Sequence, residues 1–264
     1  MRLAAQENLV PGSTFQEKVD NLQSLGYDGV ELRGDGLAGR VGEIRRALEN
    51  SGVSATCVCG GYKFGLLFPD KAERAQARDQ IRTLLSLAAE VRAQGLILVP
   101  IFGPPRLPDL SPWRTSEQLE EELLVEQLGE LAEYAGTQGT QLILEPLNRY
   151  ETHFVRRIEQ AVQLCQRVAS PHMTVLADVF HMNIEEASIL DALRGAKPWL
   201  GYVHLADSNR LLPGMGHTDF AAVFAALSEI AYGGWMSLEC GVPAGDGEAL
   251  GQSLRFMQSL LPNE

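Results

Sequence analysis

Residues 141–178 read QLILEPLNRYETHFVRRIEQAVQLCQRVASPHMTVLAD. Two short apolar runs, Gln141–Glu145 and Thr174–Asp178, flank the amphipathic stretch Arg156–Val168. Strands that are buried on both faces of a parallel sheet have such continuous runs of Val, Ile and Leu. Two adjacent parallel strands also need a crossover connection, which is usually a helix. The segment therefore predicts one strand–helix–strand unit of a parallel sheet.

The same alternation extends along all 264 residues. Further strands are predicted at Leu3–Gln6, Gly29–Leu32, Ala55–Val58, Leu96–Pro100, Gly201–Leu205 and Trp235–Glu239. Further helices are predicted at Thr14–Leu25, Val41–Asn50, Lys71–Gln94, Glu117–Gln138, Ile184–Arg194, Phe220–Ala231 and Glu248–Leu261. Strand–helix units repeated eight times over about 250 residues are typical of a (β/α)8 barrel. We therefore predict an α/β fold, a single TIM-barrel domain over residues 1–264.

An open doubly wound sheet is the structural alternative. That fold usually begins with a glycine-rich first turn, and residues 8–13 contain no such pattern. The barrel is therefore the favoured architecture.

Composition limits the classes of function. Acidic residues number 34 against 22 basic ones, which gives a net charge of −12. Such a charge repels nucleic-acid phosphates and anionic lipids, and no apolar run reaches the roughly 20 residues of a membrane helix. The four cysteines match no zinc or redox motif. We expect reduced thiols in a cytoplasmic protein that binds neither nucleic acid nor membrane.

Four side chains capable of binding a metal lie at or near the ends of four consecutive predicted strands. They are Glu145, Asp178, His204 and Glu239. The carboxyl ends of barrel strands meet at one rim, where active sites lie. Three carboxylates converging there repel one another unless a cation neutralises them. Three carboxylates and one imidazole suit Mn²⁺ first, with Mg²⁺, Co²⁺ or Zn²⁺ as alternatives. The sequence thus predicts one divalent metal ion.

Three segments carry a resemblance to a known family: LEPLNRYE at 144–151, DVFHMNIEE at 178–186 and HLADSNR at 204–210. They resemble the sugar isomerase/epimerase family of xylose-isomerase-like barrels, and within it the ketose (tagatose/psicose) 3-epimerases. The resemblance implies that Glu145 and Glu239 act as an acid/base pair as well as metal ligands. It further implies a homo-oligomer (a dimer or tetramer) and three residues that contact a sugar substrate: Glu151, His181 and Arg210.

The implied chemistry is proton transfer next to a ketone. One glutamate removes the proton and the other returns a proton to the opposite face, through a cis-enediolate. Transfer of the proton between carbons would instead interconvert an aldose and a ketose. A non-phosphorylated substrate is expected, because the region 241–248 contains Asp246 and Glu248, which would repel phosphate.

Other functions remain as alternatives. An inosose dehydratase or isomerase, or a hydroxypyruvate-isomerase-like enzyme, would use similar chemistry, and a binding protein would need no paired glutamates. An abasic-site endonuclease-like metal nuclease uses additional histidines from early strands. No histidine precedes His153 here, which disfavours the nuclease.

Several further residues have weaker signals. Gln6 and Glu31, near the ends of predicted strands one and two, are candidates for the rim of the site. Trp113, in the long segment after strand four, is a candidate lid residue. His153 and His172 are predicted to lie at the surface.

Overall fold

The computed structural model describes residues 1–63, 65–243 and 248–261. Its eight parallel strands follow one another in chain order around a closed barrel. The strands are β1 Arg2–Gln6, β2 Gly29–Arg33, β3 Ser54–Cys59, β4 Gly95–Leu98, β5 Gln141–Leu144, β6 Met173–Asp178, β7 Leu200–Leu205 and β8 Trp235–Leu238. The predicted TIM barrel is confirmed.

Helices follow the strands and pack around the outside of the barrel. They are α1 Phe15–Leu25, α2 Val41–Leu48, α3 Lys71–Glu90, α4 Ser116–Gln138, α5 Ile158–Val168, α6 Val179–Glu185, α7 Ile189–Gly195, α8 Phe220–Glu229 and α9 Ala249–Leu260. A 3-10 turn, Leu37–Gly39, precedes α2. The larger hydrophobic cluster lies between the strands and helices. A smaller cluster, which includes Ile143, Leu176 and Tyr202, fills the barrel interior.

Pairing between the first and last strands closes the barrel. Ala5 of β1 is in register with Leu238 of β8. Gln6, the last residue of β1, and Glu239, which follows β8, therefore come to the same side of the rim. Closure thus joins the first and last strands at the candidate site, although 233 positions separate Gln6 and Glu239.

The sixth unit differs from the sequence prediction. The single helix expected at Ile184–Arg194 is wrong, because two short helices, α6 and α7, occupy this region. Oδ1 of Asp178 accepts the backbone N–H groups of Phe180 and His181, so α6 starts directly at the end of β6. Ser188 then caps α7 through the N–H of Asp191. Side-chain capping of orphan N–H groups explains both helix starts.

The fourth strand is shorter than predicted. It ends at Leu98 rather than Pro100. The backbone N–H of Val99 donates to the hydroxyl of Tyr62 at 2.8 Å instead of to a neighbouring strand. This bond ends the strand pairing.

Two further expectations concern the class of protein. Within the described part of the chain, no helix has the length and apolar character needed to cross a membrane. All four cysteines are free, and Cys57, Cys59 and Cys165 are buried. The expectation of free thiols is confirmed.

Candidate metal centre and active site

Four side chains from consecutive strands converge at one point of the rim. Ligand atoms of Glu145, Asp178, His204 and Glu239 all lie within 4.8 Å of one another. Nδ1 of His204 is 3.2 Å from Oε2 of Glu239, 3.3 Å from Oε1 of Glu145 and 3.8 Å from Oδ2 of Asp178. Glu145, Asp178 and His204 are buried, whereas the Glu239 side chain retains 19 % exposure toward the opening. The four residues thus form a compact cluster with one accessible side.

The carboxylate of Asp178 gives the clearest indication of a cation. Its Oδ1 accepts two backbone N–H groups, at 2.7 and 3.2 Å. Its Oδ2 is fully buried and has no hydrogen-bond partner among the described residues. A buried carboxylate oxygen without a partner is costly. A metal ion within the cluster would satisfy it.

His204 is held so that one ring nitrogen faces the carboxylate cluster. Its Nε2 lies 3.0 Å from Oε2 of Glu31, and Nδ1 faces the other three members of the cluster. A ligating histidine commonly donates its second N–H to a carboxylate, which fixes the ring orientation. Burial opposes a charge on His204, but Glu31 and Glu239 outweigh it and raise the pKa of His204 well above its usual value.

Burial opposes ionisation of all three clustered acids, but their neighbours shift the pKa values differently. Burial raises the pKa of Glu145 to about 7, and the charge of Glu239 adds to this. Burial likewise raises the pKa of Asp178 to about 7. Burial also opposes ionisation of Glu239, but the charge and hydrogen bond of His204 and a hydrogen bond from Gln6 lower its pKa. A divalent cation would therefore stabilise the charged forms of Glu145 and Asp178 most. The oxygen-rich donor set fits such an ion.

His181 is placed as a hydrogen-bond donor. Its Nδ1 accepts the backbone N–H of Asn148 at 3.2 Å and the side-chain amide of Asn148 at 2.7 Å. Burial lowers the pKa of His181, so the ring is neutral and carries its proton on Nε2. That nitrogen is buried without a partner in the described structure. It lies 3.7 Å from Oδ2 of Asp178, too far for a hydrogen bond, and is available to a substrate oxygen.

Arg210 and Glu151 complete the open side of the cluster. Nη1 of Arg210 donates to Oε1 of Glu151 at 2.7 Å, and Nη2 lies 3.8 Å from Oε2 of Glu239. The guanidinium carbon also lies 4.7 Å from the ring centroid of Phe180. Glu151 accepts a second bond from Asn148 at 3.0 Å. All seven predicted site residues are therefore brought together, and their catalytic roles remain proposals.

Two residues with weak sequence signals prove to lie in the wall of the site. Gln6 and Glu31 are both buried, and Gln6 connects Glu31 to Glu239. Asn148 carried no separate prediction, although it lies within the LEPLNRYE segment. Trp113, the candidate lid residue, is 72 % exposed.

The prediction that His153 is a surface residue is wrong. Its side chain is only 14 % exposed, and its Nε2 lies 2.6 Å from Oε2 of the fully buried Glu120. Its Nδ1 lies 2.8 Å from the carbonyl oxygen of Gly103. His153 therefore anchors the loop after β4 to α4. His172 is half-buried rather than exposed and packs beside Gly136.

Comparison with known proteins identifies the family. The profile of the Xylose isomerase-like TIM barrel family matches residues 19–260. This chain is a member of that family. It is 30 % identical over 262 residues to the 3-dehydro-D-guloside 4-epimerase of Escherichia coli (strain K12), covering 98 % of this chain and 100 % of that enzyme.

Other members of the xylose isomerase-like family are similar over most of their length. The D-psicose 3-epimerase of Agrobacterium fabrum (strain C58) is 29 % identical over 255 residues, covering 93 % of this chain and 85 % of that enzyme. The crystal structure of 3-keto-D-glucoside 4-epimerase from E. coli, in its apo form, superposes with a TM-score of 0.90 at 30 % identity. That superposition covers 98 % of this chain and 99 % of the other. This xylose isomerase-like barrel is therefore an isomerase-class enzyme, a sugar epimerase in the broad sense.

Proposed function

We propose that this protein epimerises a carbon next to the ketone of a non-phosphorylated sugar, with a divalent cation and two glutamates. The observation that carries the proposal is the placement of Glu145 and Glu239. They directly follow β5 and β8, the strands on either side of the two that provide Asp178 and His204. Simple binding of a sugar needs no pair of bases at one centre. A reaction that removes a proton from one face and returns one to the other does.

Glu145, Asp178, His204 and Glu239 would hold the cation, with Mn²⁺ expected first. When bound, the cation stabilises negative charge on the ketone oxygen and on the neighbouring hydroxyl oxygen of the substrate. Three carboxylates and one imidazole are a donor set that would suit such an ion. Support for this comes from the unpartnered Oδ2 of Asp178.

The chain itself moves the proton. One of the two glutamates, Glu145 or Glu239, takes the proton of the carbon next to the ketone, and the other protonates the opposite face of the cis-enediolate. The Nε2–H of His181 donates to the substrate oxygen on which charge develops. Arg210, positioned by Glu151, neutralises charge on the open side of the site. Hydrogen bonds already fix these side chains in the structure: Gln6 holds Glu239, Asn148 holds His181, and Glu151 holds Arg210.

The loop after β7 supports a substrate without phosphate. In TIM barrels the loops after the seventh and eighth strands frequently bind phosphate through backbone N–H groups. Here the buried carboxylate of Asp207 accepts the N–H groups of Ser208, Thr218 and Gly214, at 2.7, 3.0 and 2.9 Å. These donors are therefore already engaged. The sequence expectation rested on Asp246 and Glu248. Asp246 lies outside the described residues, and Glu248 directly precedes α9.

A 3-keto glycoside is a second candidate substrate. It would undergo the same reaction one carbon further along the sugar. The similarity to a 3-dehydro-D-guloside 4-epimerase extends over all of that enzyme. A 3-keto glycoside epimerised at C4 presents the same ketone and neighbouring hydroxyl as a free ketose epimerised at C3. The metal centre serves both, so the choice depends on substrate tests.

The decisive experiment follows deuterium into the substrate. The Mn²⁺-loaded protein is incubated in D₂O with free ketoses and 3-keto glycosides, and the sugars are followed by NMR. We expect deuterium at the carbon next to the ketone together with the epimer, and loss of both in Glu145→Gln and Glu239→Gln. Appearance of an aldose would indicate an isomerase instead. Bound Mn²⁺ without exchange in any of these sugars would contradict the proposed substrate class and favour inososes or hydroxypyruvate.

A further inference from the structure

Two buried polar residues in the wall of the site have no part in the chemistry proposed above. Gln6 lies at the end of β1 and is 3 % exposed, and Glu31 lies on β2 and is fully buried. A buried carboxylate needs compensating partners, since burial without them is strongly unfavourable. The partners of Glu31 and Gln6 indicate what the pair does.

Glu31 determines which nitrogen of His204 faces the cluster. Its Oε2 lies 3.0 Å from Nε2 of His204, and its Oε1 accepts from Nε2 of Gln6 at 2.8 Å. A carboxylate can only accept, so Nε2 of His204 must carry a proton. Nδ1 is then the nitrogen left for a metal ion. Glu31 thus selects one of the two neutral tautomers of the ring.

Gln6 connects Glu31 to the proposed acid/base Glu239. Its side-chain amide nitrogen has two hydrogens, and it donates to Oε1 of Glu31 and to Oε1 of Glu239, both at 2.8 Å. Oε1 of Glu239 is therefore anchored, while Oε2 lies 3.2 Å from Nδ1 of His204. Anchoring one oxygen fixes the plane of the carboxylate that faces the cluster.

We propose that Gln6 and Glu31 form a positioning pair, which orients the ligand His204 and the glutamate Glu239 together. For Glu239 the inference rests on the proposed function. For His204 it requires only that the cluster binds a cation. The two residues should differ in their main effect. Loss of Glu31 should mainly lower metal affinity, whereas loss of Gln6 should mainly lower kcat.

A purely structural role for these residues makes a different prediction. Buried hydrogen bonds between β1, β2 and β8 would then contribute to stability alone. Gln94 provides a matched control, because its Nε2 also donates twice, to Oε1 of Gln141 at 3.1 Å and to the carbonyl oxygen of Gly201 at 3.0 Å. It precedes β4 and so lies at the opposite end of the barrel. Glu120, which is fully buried and paired with His153, is the matched control for Glu31.

The test compares Gln6→Met and Glu31→Gln with Gln94→Met and Glu120→Gln in the full chain. Calorimetric titration gives the Mn²⁺ affinity, steady-state kinetics gives kcat and KM, and thermal unfolding gives stability. We expect Glu31→Gln to weaken Mn²⁺ binding about 10- to 100-fold. We expect Gln6→Met to lower kcat at saturating Mn²⁺ by about 10-fold or more with KM nearly unchanged. Both controls should retain Mn²⁺ affinity within about twofold even where they lower the unfolding temperature.

Coupling between the two residues provides a further criterion. Both residues act on one connected network. The fold-loss of kcat/KM in the double variant should therefore be smaller than the product of the fold-losses in the two single variants. Independent, additive losses, or losses no larger than those of the controls, would overturn the positioning role. Gln6→Met removes no charge and decides the question if Glu31→Gln does not fold. A wild-type protein that binds Mn²⁺ but exchanges no substrate proton would contradict the proposed function, while the Mn²⁺ affinity of Glu31→Gln would still decide this inference.

Discussion

The side-chain amide of Asn148 donates to Nδ1 of His181 at 2.7 Å and thereby leaves Nε2 as the protonated nitrogen. The backbone N–H of Asn148 donates to the same Nδ1 at 3.2 Å. Two donors at one nitrogen exclude the other neutral tautomer. His181 is therefore prepared to donate to a substrate oxygen rather than to bind a metal or accept a proton.

Replacing His181, the donor to the substrate oxygen, should slow turnover without changing metal affinity. We expect His181→Phe to lower kcat about 100- to 1000-fold, the usual loss for one donor to a developing oxyanion. Mn²⁺ affinity should stay within about threefold. His217→Gln is the control, since His217 is exposed and, within the described ranges, its ring contacts only the hydroxyl of Ser208. An effect of His181→Phe on KM alone would contradict the assigned role.

Metal affinity should depend on pH through the buried acids. Burial raises the pKa values of Glu145 and Asp178 to about 7, and both must lose their protons to bind a cation. Apparent Mn²⁺ affinity should therefore increase from pH 6 to pH 8, with protons released on binding. Calorimetry in buffers of different ionisation enthalpy measures both quantities. An affinity that is constant over this range would refute the expectation.

The stability of the metal-free protein should change in the opposite direction. In the unfolded chain these two carboxyl groups ionise near pH 4, whereas in the fold they retain protons up to about pH 7. The fold binds more protons in this window, so its stability falls as pH rises from about 4 to 7. The raised pKa of His204 extends the fall above pH 6.5.

Added Mn²⁺ should restore the stability that the metal-free protein loses as the pH rises. The difference in unfolding temperature with and without Mn²⁺ should be small at pH 5 and largest near pH 8. Asp178→Asn should flatten the pH dependence of the metal-free protein. An equal metal-induced shift at both pH values would show that the clustered acids do not cause it.

The four clustered residues could be predicted from sequence because each lies within one residue of the end of an apolar strand. Position alone identifies Glu145, Asp178, His204 and Glu239 once the barrel is assumed. Glu151, His181 and Arg210 needed the family resemblance, since loop residues carry no periodic signal. Gln6 and Glu31 remained weak candidates because their contacts depend on barrel closure, which joins residues far apart in sequence.

The helix prediction failed at Asp178 for a related reason. Hydrophobic periodicity indicated one helix from Ile184, but the Asp178 side chain starts a helix at Val179. A single carboxylate both caps α6 and presents an oxygen to the cluster. Hydrophobic periodicity cannot predict a helix start that depends on one carboxylate with two roles.

Arg210 and Glu151 should act as one unit. Their side chains are joined at 2.7 Å, and a lysine cannot reproduce the fixed fork of a guanidinium. We expect Arg210→Lys and Glu151→Gln each to lower kcat/KM about 10-fold, and the double variant to lose little more than either. Multiplicative losses in this double-mutant cycle would show that the two residues act separately.

Two glycines should respond to alanine with opposite signs. A Cβ at Gly95 would lie 1.9 Å from the carbonyl oxygen of Gln141, so Gly95→Ala should destabilise the fold by about 2 kcal/mol. At Gly129, within α4, such a Cβ would have no atom of the described residues within 4 Å apart from the adjacent residues and the backbone of its own helix. Gly129→Ala should stabilise by about 0.5–1 kcal/mol through helix propensity. Urea unfolding of the metal-free proteins measures both changes, and equal signs would contradict the packing argument.

The pairing of β8 with β1 also sets the order in which the protein gains its site during synthesis. Glu239 follows the last strand, and its anchor Gln6 ends the first. A nascent chain that has not yet released β8 from the ribosome carries three of the four clustered side chains and an unsealed barrel. We therefore expect tight cation binding to begin only after β8 has left the ribosome, so that a cation would be acquired after the barrel strands are made rather than guide their early folding.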